Sequence, residues 1–151
     1  MNEHSQSIDI SASPEEAFRS VSDLPAMGQY SPENTGGEWI NASGPALGVK
    51  FKGSNAHGRH SWTTTATIVV FTPPSAFAFE ITVGPAKVSR WSYDIESTPT
   101  GCRVSESWID RRGAIARWAA KRSMGKIDRA EFTVQSIRET LENLKSHLER
   151  A

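Results

Sequence analysis

The sequence predicts an α+β fold in which one run of antiparallel strands is backed by a long C-terminal helix. Three observations carry this expectation. Ile127, Ala130, Val134, Ile137, Leu141, Leu144 and Leu148 alternate steps of three and four, drawing one apolar stripe along a helix whose other face is charged. Between about residues 49 and 110, alternating segments rich in β-branched and aromatic residues are punctuated by turn residues. Close to the N-terminus, Ser13-Pro14-Glu15-Glu16 has the form of a capping box with proline at the first helical position.

Taken in order, SIDI is a short alternating strand ending near Ser11, and the capping box starts a helix over about 14–23 that buries Ala17, Phe18 and Val21. LPAMGQYSP then reads as a second short helix or turn, stopped by Ser31-Pro32 because the residue before a proline avoids helical geometry. A two-residue turn at His57-Gly58 pairs Asn55 with His60, Gly53 with Trp62, Phe51 with Thr64 and Val49 with Ala66, leaving Lys50 and Lys52 on the other face. Ile68 and Val70 continue the face of Trp62, and a turn at Pro73-Pro74 sets Val70 opposite Phe77 and Ile68 opposite Phe79. After the loop Gly84-Pro85-Ala86 comes WSYDIESTPTGCRVSESWID. A turn at Pro99-Thr100 pairs Glu96 with Arg103 on one face, and Ile95 with Val104, Tyr93 with Glu106 and Trp91 with Trp108 on the other. A one-residue slip would set those aromatics against Arg103, Ser105 and Ser107, so Glu106 is expected to point inward. RRGAIARWAAKRSMGK is expected to form a shorter helix before the last one, with Gly125 as hinge or stop.

At 151 residues the chain is long enough for one core and short of a second, so residues 1–151 are expected to form a single domain. The formal net charge is zero, which gives no general attraction to nucleic acid or acidic membranes. Cys102 is the only cysteine and no Cys and His set has zinc spacing, so neither a disulfide nor a structural metal is expected. The N-terminus has no basic stretch followed by an apolar run, and no stretch is apolar enough to span a bilayer, which predicts a cytoplasmic protein. Phosphate-binding glycine loops and a GxSxG elbow are absent.

The segments IDISASPEEAFRSVSDLPAMGQYSPE, GPALGVKFKG, WTTTATIVVFTPPSAFAFEI and RWSYDIESTPTGCRVSESW, with the terminal helix, resemble the START and Bet v 1-like superfamily. More narrowly they resemble its polyketide cyclase/dehydrase and lipid-transport group. The resemblance implies a helix-grip fold: a curved antiparallel sheet wrapped around the long C-terminal helix, two short helices after the first strand, and a cavity for a hydrophobic or amphipathic small molecule. It implies no universal catalytic motif, since such proteins include enzymes, carriers and receptors.

A cavity wall of this kind explains an inward carboxylate among aromatics. Glu106, buried beside indoles, would titrate nearer neutrality and exchange protons, with the Tyr93 hydroxyl holding it or polarising a substrate carbonyl. The competing reading is a purely structural Glu106–Tyr93 link. His60, near a hairpin end, is the third candidate for acid/base work, against a solvated role. Asn55, Trp62, Thr64, Phe79, Trp91 and Trp108 are the candidate ligand-binding residues, although tryptophans also fill cores. Asp110 is expected to pair with Arg111 or Arg112, and Cys102 lacks any histidine signature for a nucleophile. Residues 111–126 carry six basic side chains and no acidic one; they read as a solvated lid or, with Trp118, as an interaction surface. The expected partner is thus a hydrophobic or aromatic small molecule, with no cofactor, no metal, no nucleic acid and no stable membrane insertion; a homodimer is left open. Cyclase/dehydratase-type acid/base chemistry leads, against a non-catalytic carrier or an interaction module.

Overall fold

The computed structural model describes residues 3–30, 34–113 and 129–150. The predicted stop at Ser31-Pro32 and residues 114–126 of the basic segment, with Ile115, Trp118, Met124 and Gly125, lie outside them, as do Ile127 and the side chain of Ala130.

Seven antiparallel strands form one curved sheet in the order β1-β7-β6-β5-β4-β3-β2. They are β1 (Glu3–Ile10), β2 (Asn34–Ile40), β3 (Lys50–His57), β4 (His60–Thr72), β5 (Ala76–Val83), β6 (Ala86–Thr98) and β7 (Gly101–Asp110). Helix α1 (Pro14–Ser22) and a 3₁₀-helix (Leu24–Gln29) follow β1, and α2 (Arg129–Glu149) closes the described chain, packed mainly against β1. This is the helix-grip arrangement that the family resemblance implies.

Ser13 caps the helix: its Oγ accepts the Glu16 N–H at 3.1 Å, and its hydroxyl donates to Glu16 Oε1 at 3.2 Å. Ala17, Phe18 and Val21 are buried as expected. At its far end α2 is tied to the sheet, since Lys145 Nζ donates to the Asp9 carbonyl and the Ser11 N–H donates to Glu149 Oε2.

The β6–β7 hairpin has the predicted register throughout, including Tyr93 opposite Glu106 and Trp91 opposite Trp108. The β3–β4 hairpin differs. Its loop is Gly58-Arg59, because Gly58 with φ +62° fills the first loop position, where a tight turn needs a positive φ. Each pair therefore moves by two residues: His57 faces His60, Asn55 faces Trp62, Gly53 faces Thr64 and Phe51 faces Ala66. A shift of two preserves the faces. Ile68 does lie opposite Phe79, but a bulge follows it, so Val70 meets Ala78 and Phe71 meets Phe77. The extra residue turns Val70 away from the face of Trp62 and puts Phe71 there instead, edge-on to Phe18. A second irregularity at Ile81/Thr82 opens the β5–β6 ladder beside Val88 and Ser89.

Where β2 crosses the rim, Gly37 has φ +153°. A Cβ there would overlap the Lys52 carbonyl oxygen and lie 2.7 Å from the Phe51 ring, so only glycine lets β2 approach β3 this closely.

Candidate active site and ligand cavity

Strand alternation puts Val104, Glu106 and Trp108 of β7 on the concave face, together with Trp91, Tyr93 and Ile95 of β6. Tyr93 and Glu106 are 1% and 2% exposed. Across this pair Tyr93 Oη donates to Glu106 Oε2 at 3.0 Å. On the other side β1 places Gln6 opposite Glu106, but the Gln6 amide is committed to α2, donating from Nε2 to the Val134 carbonyl at 2.9 Å. Glu106 Oε1 is consequently buried with no hydrogen-bond partner. Such an orphan is costly in a folded protein unless a ligand or water meets it.

The electrostatics follow from this geometry. Burial pushes the Glu106 carboxyl up to about 8, against the hydrogen bond from Tyr93, which pulls it down. Burial, and then the neighbouring Glu106, hold the Tyr93 phenol well above its ordinary range. At neutral pH Glu106 is therefore mostly a neutral acid. With Oε2 already accepting from Tyr93, Oε1 is the oxygen left to carry the proton.

Glu106 and Tyr93 form part of the wall of a cavity of about 110 Å³ between the sheet and α2. Leu24 and Met27 of the 3₁₀-helix, Phe51, Phe79, Trp62 and Trp91 supply much of its apolar surface. Asn55, Thr64 and Ser89 add polar groups from the strands, and Asn55 Nδ2 donates to Thr64 Oγ1 at 3.2 Å. From the helix side come Ser136 and Thr140. The volume approaches that of an engineered apolar cavity that accepts benzene, about 150 Å³.

The structure thus brings Glu106, Tyr93, Asn55, Trp62, Thr64, Phe79 and Trp91 to one cavity and leaves two expected residues off its wall. His60 is exposed at the start of β4, because the two-residue shift moves it from Asn55 to the hairpin end beside the turn. Trp108 is buried behind Trp91, their ring centroids 6.5 Å apart, and its other neighbour is His4, stacked at 5.5 Å. Asp110 pairs with Arg112 at 2.9 Å as expected, although the carboxylate is nearly buried. Burial raises the Cys102 thiol, which sits in the core.

Sequence reasoning missed the helix contribution. Thr133, Ser136 and Thr140 are 1%, 4% and 3% exposed, whereas Val134 is only partly buried, so the inward stripe of α2 is rotated toward hydroxyls. The signal was their spacing of three and then four residues alongside Ile137, Leu141 and Leu144. Among the described residues no group of three or more His, Cys, Asp or Glu side chains could hold a metal ion, and no helix is long and apolar enough to cross a membrane.

Solved structures share this architecture. A polyketide-cyclase-like protein of Corynebacterium glutamicum, solved by NMR, is 25% identical, with 97% of this chain and 91% of that one aligned and a TM-score of 0.65. The di-domain ARO/CYC protein of the steffimycin biosynthetic pathway aligns over 99% of this chain and 51% of its own, at 9% identity and a TM-score of 0.73. A major latex-like protein of Panax ginseng aligns over 97% of this chain and 96% of its own, at 7% identity and a TM-score of 0.73. Comparison with curated protein sequences gives no match. With the fold and the geometry around Glu106 described, the match of residues 1–149 to the family described as polyketide cyclase / dehydrase and lipid transport shows that the chain belongs to that family.

Proposed function

We propose that the protein binds a hydrophobic, carbonyl-bearing small molecule between its sheet and α2 and acts on it by acid/base chemistry of the cyclase/dehydratase type. The observation that carries this reading is that Glu106, a residue of the cavity wall, has Oε2 held by Tyr93 and an Oε1 with no partner. A neutral carboxyl so placed donates to a ligand carbonyl oxygen and favours enolisation at the adjacent carbon. After its proton has moved to that oxygen, the carboxylate is the base that removes a proton from the carbon, so the enol forms with no net change in protonation of the protein. Enolisation of this kind underlies aldol-type ring closure, and the same acid would assist loss of water. Tyr93 keeps the carboxyl aimed and stabilises its anionic form by hydrogen bonding.

The second reading, a carrier without turnover, is favoured by one observation: His60, the other candidate proton-transfer side chain, is exposed and off the cavity wall. Hydrogen–deuterium exchange at the methyl group of acetophenone, followed by NMR, separates the two. Acceleration by the native protein, abolished in Glu106→Gln while calorimetry still shows binding, supports the enzyme. Binding without acceleration supports the carrier.

A further inference from the structure

The polar groups around the cavity are unequal in charge, and that inequality bears on what can enter. Ionisable side chains on its described wall are Glu106 and Tyr93, both acids; no lysine, arginine or histidine is among the described lining residues. The groups facing Glu106 can be named element by element. From β6 it meets Tyr93; from β1, the uncharged Gln6; α2 brings Ser136 and Thr140 to the same cavity, and the 3₁₀-helix brings Leu24 and Met27. The nearest imidazole on that face of β1 is His4, which lies opposite Trp108 and is stacked on it. The described arginines near this end of the sheet are engaged elsewhere, Arg112 by Asp110, and Arg90 and Arg111 by Glu80.

We propose that Glu106 and Tyr93 make the cavity a charge filter, which takes ligands whose buried polar group is a neutral oxygen acceptor and refuses those whose buried group is a carboxylate. This rests on the reading that the cavity binds a small molecule, and it adds a specificity rule to it. An uncharged ketone presents an acceptor to Oε1 and leaves the cavity neutral. A carboxylate brings a buried anion, and no lysine, arginine or histidine among the described lining residues offsets the cost of taking it out of water. An acid ligand would enter only after taking up a proton. Its affinity then falls with the fraction protonated, tenfold per pH unit above its own ionisation near pH 4. A ketone shows no such loss until Glu106 itself ionises. The filter would select neutral ketones over free carboxylic acids of the same shape.

The test uses the full chain with a size-matched pair, acetophenone and benzoate, titrated calorimetrically at pH 5, 6, 7 and 9.5. The expected result is ketone affinity constant from pH 5 to 7 and at least tenfold weaker at pH 9.5, with benzoate losing about tenfold per unit between pH 5 and 7. In Glu106→Gln, which keeps a neutral donor at this position, the loss of ketone affinity at pH 9.5 should disappear; thermal unfolding of the variant at each pH confirms that it is folded. Benzoate binding as tightly as acetophenone with no pH dependence from 5 to 7 overturns the filter while leaving the cavity reading intact. Binding of neither compound overturns the cavity reading and the filter with it.

Discussion

Tyr93 Oη and Glu106 Oε2 meet at 3.0 Å across a cross-strand pair, both side chains almost wholly removed from water, and the second carboxyl oxygen has no partner. A hydrogen bond to one oxygen only leaves the carboxyl incompletely compensated for its burial. Desolvation therefore wins over hydrogen bonding, and the group stays protonated through neutrality.

The first consequence concerns stability. The folded carboxyl titrates near 8 and the unfolded one near 4.5, so the folded state holds the extra proton between those values. Stability from this group is fully present below pH 4.5 and is lost as pH rises toward 8, at on the order of 1 kcal/mol per pH unit within the window. Asp9 and Glu149 are shifted down by Arg103 and Lys145 respectively, so their contributions have the opposite sign and are lost toward acid pH. Urea unfolding of native protein and Glu106→Gln at pH 5.5, 6.5 and 7.5 isolates the group. The difference between them should change steadily in favour of the variant as pH rises; parallel curves would mean that Glu106 has an ordinary carboxyl environment.

Removing the Tyr93 hydroxyl should act through Glu106. In Tyr93→Phe the one hydrogen bond that lowers the carboxyl's ionisation is gone, so its midpoint should move above 8. The infrared carbonyl band of the protonated carboxyl, identified by its absence in Glu106→Gln, reads that midpoint directly. The accompanying stability cost should be about 1 kcal/mol, the usual net value of one hydrogen bond. A midpoint that stays put would show that the Tyr93 contact is incidental.

How much of this was legible depended on whether a wrong alternative carried a visible penalty. In β6–β7 a slip would have driven Trp91, Tyr93 and Ile95 against Arg103, Ser105 and Ser107, so pattern alone chose the register and the Glu106–Tyr93 pair with it. In β3–β4 a shift of two residues exposes nothing wrong on either face, and turn geometry at Gly58 decided instead. That choice carried His60 away from the cavity. The bulge after Ile68 adds a residue with no compositional mark, so the exchange of Val70 for Phe71 was invisible. On α2, small hydroxyls count as polar in any amphipathic reading, although Thr133, Ser136 and Thr140 bury readily once each finds local partners or a cavity.

Those hydroxyls make their own prediction. Thr140→Val keeps the side-chain shape, so the fold should survive with an unfolding temperature at or slightly above that of the native protein. If the hydroxyl meets ligand, affinity for acetophenone should drop roughly fivefold, corresponding to about 1 kcal/mol for a lost hydrogen bond. Toluene, which has the ring but no acceptor, should bind the two proteins equally. An equal change for both ligands in calorimetry would assign Thr140 a packing role.

Gly37 links the rim of the sheet to the cavity wall. An added methyl group would overlap the Lys52 carbonyl and press the ring of Phe51, a lining residue, at a backbone angle that L side chains rarely adopt. Relief requires β2 to part from β3 or Phe51 to leave its position, since the obstructing atoms include backbone. Gly37→Ala should therefore cost more than about 2 kcal/mol in urea unfolding, within the range of overpacking and strained-glycine substitutions. Gly44→Ala is the matched control: nothing lies within 4 Å of the added atom and the backbone angle is unremarkable for an L residue. That change should be neutral or stabilising by a few tenths of a kcal/mol, because it restricts the unfolded chain alone. Similar losses for the two would refute a specific close approach at Gly37, whereas a large loss confined to Gly37→Ala would show that the rim contact between β2 and β3 holds Phe51 against the cavity.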